Sequence, residues 1–211
     1  MLSSIQEERE RRIKGLKKVD SIALNTWDNL LLKYENDKSI KLEKAFSFGK
    51  NIDYNHPGIS SEIYFSHPVR VANYASFFSN YKEIDYPILG LLHNVLELSH
   101  INKHNLKELF GIKIFKEIEV LTVERKLQWN QDYKEKYYDV IMSQSHACRL
   151  IKILDKLDNL FLLHLNPNKD VIKKYLLEID KYIMPMVKKD LPVLLTYFEE
   201  LFVNTKKISL S

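Results

Sequence analysis

An all-α fold is what this sequence predicts, and three observations carry the prediction. Only 5 glycines and 6 prolines are spread through 211 residues, too few turn makers for a many-stranded sheet. Apolar residues return at three- and four-residue spacings in several segments, as in Leu24, Trp27, Leu30 and Leu31, or Leu150, Ile153, Leu154, Leu157 and Phe161. The stretch Tyr86 to Leu98 is apolar on almost every side, which suits a buried helix better than an alternating strand. At 45% apolar content the chain can build one real core, and two domains would be cramped.

Composition narrows the function classes. Cys148 is the single cysteine and has no internal disulfide partner. No apolar run approaches the roughly 20 residues needed to cross a bilayer, and Met1 to Glu10 lacks the basic-then-apolar pattern of a secretory signal. The cytoplasm is therefore the expected location, with no membrane partner. The net charge of +4, from 32 basic and 28 acidic residues, is too even to imply nucleic acid and mildly favours approach of a phosphorylated small molecule.

The elements follow in order. Ile5 to Lys18 is densely charged and predicts a solvated helix or a partly frayed arm, interrupted at Gly15. Ile22 to Leu32 predicts a first packed helix. Residues 1–45 together form a charged N-terminal helical segment packed on a domain of residues 46–203, and 204–211 is expected to be a frayed tail. Ala45 to Tyr64 holds Gly49, Asn51, Asp53, Asn55, Pro57 and Gly58, the composition of a loop. His67-Pro68 opens a helix, since proline is well tolerated in a first turn. Tyr86 to Leu98 is read as one helix, which puts His93 and Glu97 on one face. An imidazole and a carboxylate in such a helix require partners, either a cation or, for the histidine, a backbone carbonyl. His100 and His104 lie in a loop-like stretch without further ligands and are read as surface residues. Asn105 begins a helix that stops near Gly111, Ile112 to Val123 forms another, and Tyr133 to Met142 a third, with Tyr133, Tyr137 and Tyr138 filling its packed face or, alternatively, lining a pocket. Ala147 to Leu163 carries Lys152, Asp155, Lys156, Asp158 and Asn159 on its polar side, which taken alone reads as a water-facing stripe. Val171 to Val187 and Leu191 to Val203 close the chain.

Three stretches hold groups that chemistry can use: Tyr64-Phe-Ser-His-Pro-Val-Arg-Val-Ala72, Leu91-Leu-His-Asn94 and Arg149-Leu-Ile-Lys-Ile-Leu-Asp-Lys-Leu-Asp-Asn-Leu160. In this order they resemble the metal-binding segments of the HD superfamily of phosphohydrolases. Within it they are most similar to the hydrolase domain of the RelA/SpoT proteins and their stand-alone small relatives, which remove the 3′-pyrophosphate from guanosine tetra- and pentaphosphate. The resemblance runs from Asn51 to Lys188 and includes Asn105-Leu-Lys-Glu-Leu-Phe-Gly111, Tyr133-Lys-Glu-Lys136 and Lys174-Tyr-Leu-Leu-Glu-Ile-Asp-Lys-Tyr-Ile-Met-Pro185.

That resemblance implies an HD-domain helical bundle and a divalent cation, Mn2+ by family habit, held by His67, His93, Asn94 and Asp155. It makes Glu97 the carboxylate that orients or deprotonates water, and Lys156 and Asn159 contacts to a nucleotide substrate. Departures are specific. Asn94 stands where the family has aspartate, Leu98 where it has a second acid, Lys156 where it has arginine, and Asp158 where it has histidine. The family's basic residues before the motif histidine are replaced by Gly58-Ile59 with Ser60, Ser61 and Glu62, leaving Lys50 or Arg70 to supply charge. The expected function is a metal-dependent phosphohydrolase acting on a nucleotide or related phosphorylated small molecule. The alternative is a catalytically impaired nucleotide-binding or regulatory module on the same fold.

Overall fold

The computed structural model describes residues 4–56 and 58–210, and the expectations placed on Met1 to Ser3, Pro57 and Ser211 lie outside those residues. The helices are α1 (Ile5–Gly15), α2 (Ser21–Leu31), α3 (Asn36–Lys50), α4 (Ser61–Tyr64), α5 (Ser66–Phe78), α6 (Asp85–Leu92), α7 (Val95–Leu98), α8 (Lys103–Leu121), α9 (Gln131–Ser143), α10 (His146–Leu160), α11 (Lys169–Glu178), α12 (Met184–Asp190) and α13 (Leu195–Leu210). No strand occurs among the described residues, as the scarcity of turn makers predicts.

Helices α5, α6 and α10 form the centre. Helix α5 packs against α2, α6 and α10, and α6 against α3 and α8. The α5–α6 approach depends on Gly90, where a Cβ would stand 2.6 Å from Ala72 Cα and 2.7 Å from Ala72 N. Helix α10 buries Leu150, Ile151, Ile153, Leu154, Leu157 and Leu160 on one side. Its other side is buried as well: Lys152, Asp155, Lys156 and Asp158 are enclosed by protein, and only Asn159 of that row is exposed. The water-facing stripe expected from the spacing is therefore the polar floor of a cavity.

Several boundaries differ from the sequence reading for local reasons. The Tyr86 to Leu98 helix breaks at His93 and Asn94, where Asn94 takes φ −103°, ψ 0° and its carbonyl accepts from the Glu97 and Leu98 amides to restart the helix. Helix α8 is kinked at Gly111, whose φ of 82° is left-handed, at the position where the sequence placed a stop. A π-helical turn, Ile179–Ile183, joins α11 to α12. Helix α3 crosses the expected boundary between residues 45 and 46. The tail expected to fray from Asn204 is helical to Leu210, with Thr205 and Ser209 buried, because Thr205 donates to Leu160 O at 3.2 Å and Lys169 caps Ser209 O.

Helix α1 is docked rather than solvated. It starts at a capping box, with Ser4 and Glu7 satisfying each other's amides, and presents Glu8, Arg9 and Arg12 inward. Arg9 donates to Phe161 O at 3.3 Å, Asn204 Oδ1 at 2.6 Å and Thr205 Oγ1 at 3.0 Å, tying the first helix to the last.

Candidate metal centre

Three predicted ligands meet. His67, in the first turn of α5, His93, just past α6, and Asp155, in the middle of α10, are all buried and offer ligand atoms within 4.8 Å of one another. His67 Nε2 lies 3.4 Å from Asp155 Oδ1, His93 Nε2 lies 3.6 Å from the same oxygen, and the two Nε2 atoms are 3.3 Å apart. A point about 2 Å from all three exists at the middle of such a triangle, and this is the length of a divalent transition-metal bond to imidazole or carboxylate.

The outer atoms of both rings fix which face is offered. His93 Nδ1 lies 2.8 Å from Gly90 O, a carbonyl that only accepts, so the proton sits on Nδ1 and the Nε2 lone pair faces the triad. The backbone-carbonyl alternative for His93 thus describes one end of the ring and the cation the other. His67 Nδ1 lies 2.7 Å from Asp158 Oδ2 and is directed in the same way. Two lone pairs and a carboxylate oxygen that converge at these distances call for a positive charge between them, either a shared proton or a metal ion. Burial alone would lower the His67 pKa, but hydrogen bonds to Asp155 and Asp158 raise it. Burial pushes Asp155 upward, and Lys152, His67 and His93 hold it well below the usual carboxylate range.

The other predicted residues gather around this triad. Asn94 Nδ2 donates to the Tyr64 hydroxyl at 2.6 Å, which leaves its carbonyl oxygen as the one side-chain atom it can offer a cation. Glu97 accepts from Arg125 Nε at 2.9 Å and from the Val123 amide at 3.4 Å, and it lines the cavity. Asn159 Nδ2 donates to Asp155 Oδ1 at 2.7 Å, so it steadies the carboxylate as well as facing the cavity. Lys156 pairs with Glu178 at 2.8 Å and lies 4.3 Å over the Tyr175 ring. Lys50 is exposed and absent from the cavity wall, whereas Arg70 reaches it but is engaged by Asp158 and Asp20. His100 and His104 are on the surface, as expected.

The cavity beside the triad has a volume of about 660 Å³, within the range of pockets that enclose small-molecule ligands. Arg12, Arg70, Arg125, Lys134, Lys152 and Lys156 line it against the acids Glu97, Asp155, Asp158 and Glu178, a cationic excess suited to an anion. Tyr137 and Tyr138, read from sequence as packing residues, are also part of its wall.

Sequence reasoning missed four residues here. Arg12 comes from the N-terminal helix, Lys152 pairs with Asp155 at 3.3 Å, and Glu178 binds Lys134, Lys156 and the Tyr138 hydroxyl. Asp158, noted only as a departure, turns out to hold His67, Arg12 and Arg70. The available signal was two cations and three acids on the facing sides of α10 and α11, Lys152, Asp155, Lys156, Asp158 and Glu178, too many for a plain solvent face.

Comparison with known proteins agrees with this geometry. The chain is 26% identical over 147 residues to a guanosine-3′,5′-bis(diphosphate) 3′-pyrophosphohydrolase of Aquifex aeolicus, a match covering 68% of this chain and 21% of that protein. The chain thus spans about a fifth of the length of the curated relative it matches. A solved structure described as a metazoan ortholog of SpoT that hydrolyses ppGpp superposes with a TM-score of 0.63 at 20% identity, over 78% of this chain and 94% of that one. No family model matches the chain. The fold is the expected all-α bundle, shared with that solved structure.

Proposed function

We propose, from this relationship to HD-domain ppGpp hydrolases, that the chain is a metal-dependent phosphohydrolase acting on a phosphorylated nucleotide, with guanosine-3′,5′-bis(diphosphate) the first substrate to test. The observation that carries the reading is the convergence of His67 Nε2, His93 Nε2 and Asp155 Oδ1 beside a cationic cavity. His67, His93 and Asp155 hold the cation and the Asn94 carbonyl oxygen completes the set as a neutral ligand. Mn2+ is the ion to try first, since a mixed imidazole and oxygen set accepts it. When bound, a divalent cation supplies Lewis acidity toward a phosphoryl oxygen and makes a water molecule more acidic.

The chain's own residues do the rest. Glu97 takes the proton of the attacking water once its carboxylate is free of Arg125, a guanidinium on the loop between α8 and α9. Lys152 and Lys156 neutralise phosphate oxygens as the bond between phosphorus and the leaving oxygen breaks. Asn159 keeps Asp155 in line. Tyr64, Trp129 and Tyr175 give the cavity flat apolar surfaces for a base. The cytoplasm, where such nucleotides are found and a lone thiol stays reduced, is the setting this reading requires.

The test is release of pyrophosphate or phosphate across a panel of guanosine and adenosine nucleotides, with and without Mn2+. Metal-dependent release from one or more members is the expected result. Absence of release from all of them, with no metal retained by the purified protein, overturns the proposal. Saturable nucleotide binding without turnover assigns the chain instead to a binding or regulatory role.

A further inference from the structure

The carboxylate behind His67 is held more firmly than a simple orienting bond requires. Asp158 Oδ2 meets His67 Nδ1 at 2.7 Å and Arg70 Nη2 at 2.8 Å, while its Oδ1 meets Arg70 Nε and Arg12 Nε, both at 2.9 Å. Four donors on two oxygens fix the carboxylate in position and in plane. Arg70 belongs to the same helix as His67, but Arg12 arrives from α1, 146 residues away in sequence. Its side chain has 0% exposure, stacks 4.1 Å over the Phe161 ring, donates to the Tyr74 hydroxyl at 3.1 Å and also pairs with Glu8. A buried guanidinium is costly unless its partners match it closely. Docking alone does not call for it, because Arg9 already fastens α1 to Phe161 O and to α13.

We infer that the N-terminal helix is a working part of the metal centre: Arg12, with Arg70, fixes the Asp158 carboxylate, and Asp158 fixes the His67 imidazole for the cation. The inference rests on the metal-centre reading above. Arg12 and Asp158 are positioning residues that act on the metal through His67. An imidazole hydrogen-bonded to a carboxylate is oriented and is a stronger electron donor through its other nitrogen. That gain acts at the site where Asn94 has withdrawn a negative charge. The acid at 158, where the resembling family has histidine, and the arginines at 12 and 70 form one set, since histidine cannot accept the Arg70 fork and the Arg12 Nε together.

Cobalt titration of the metal-stripped full chain, followed by the visible absorption of Co2+ as well as by binding heat, tests this. Asp158→Asn is expected to weaken cobalt binding about 10- to 100-fold and to alter the absorption envelope, which reports ligand geometry. Arg12→Met is expected to weaken binding by a lesser factor and Arg12→Lys, which keeps the charge without the fork, by less again. Because Arg12 acts through Asp158, adding Arg12→Met to Asp158→Asn is expected to cause no further loss. Arg149→Met, on α10 like Asp158, removes an ion pair to Asp190 of α12 away from the cavity, and is expected to lower stability with the cobalt spectrum unchanged.

Folded Asp158→Asn or Arg12→Met variants that bind cobalt within twofold of wild type overturn the inference, as do strictly additive effects in the double variant. If Asp158→Asn does not fold, the two Arg12 variants decide. Failure of the wild-type chain to take up cobalt removes the metal centre and this inference together. Normal uptake with unaffected variants removes the inference alone.

Discussion

In the proposed metal centre Asn94 brings an uncharged oxygen to a position where a hard dication prefers an anion. Asn94→Asp is therefore expected to tighten Mn2+ binding by about tenfold, measured by calorimetric titration; an unchanged affinity places residue 94 outside the coordination sphere. Glu97→Gln keeps the shape and the hydrogen bond from Arg125 but removes the base. Turnover should drop by about 10²- to 10⁴-fold, with metal content equal to wild type by elemental analysis. The meeting of His67, His93 and Asp155 was legible in the sequence only because the three stretches that hold them, taken in order, resemble the metal-binding segments of one family. Asp158 and Arg12 were not, because their roles depend on a pairing 146 residues apart that no local pattern encodes. Arg70 was legible as a charge near the site but not as a clamp, for the same reason.

Helical period located most of the elements: α2 and α9 each bury one face, and the apolar residues of α5 and α10 return at helical spacing although both helices are buried on nearly all sides. Helix α3 was hidden because its buried positions Leu42, Ala45 and Gly49 form a short apolar row in a charged surround. The α6–α7 break was hidden because a run of apolar residues reads as continuous even where one asparagine turns the backbone. Placement of α5 against α6 depends on the absent side chain of Gly90, whose Cβ would meet Ala72 backbone atoms that cannot swing away. Gly90→Ala should destabilise the fold by about 1–3 kcal/mol, read as a lower denaturant midpoint with unchanged slope. Stability equal to wild type would show that α5 and α6 can slide apart without loss.

Across the whole molecule, buried ion pairs link stability to pH. Burial of Glu178 favours its neutral form, yet Lys156 and Lys134 bring its pKa down to about 2. A carboxylate with a depressed folded pKa adds stability that is present above its ordinary value near 4.5 and is lost as pH falls toward 2. Asp155 and Asp158 are depressed in the same direction and add to that slope. Wild type should unfold in acid through this window, and Glu178→Gln should show a flatter loss of stability there; parallel curves would mean that Glu178 is not the linked group. Metal adds a second linkage, because an ion bound only by the folded chain stabilises it. At a free concentration 100 times its Kd, Mn2+ should add about 2.7 kcal/mol, seen as a higher melting temperature that EDTA reverses.

Arg9 grips Asn204 and Thr205, so the first helix is clasped by the last. During translation those two partners are made 195 and 196 residues after Arg9, and α1 must wait for them before it can seat Arg12 against Asp158. A nascent chain halted ahead of Asn204 should therefore carry its opening helix loose, with the bonds after Lys17 and Lys18 open to trypsin. Once Asn204 and Thr205 have cleared the ribosome and hold Arg9, trypsin should cut those bonds more slowly.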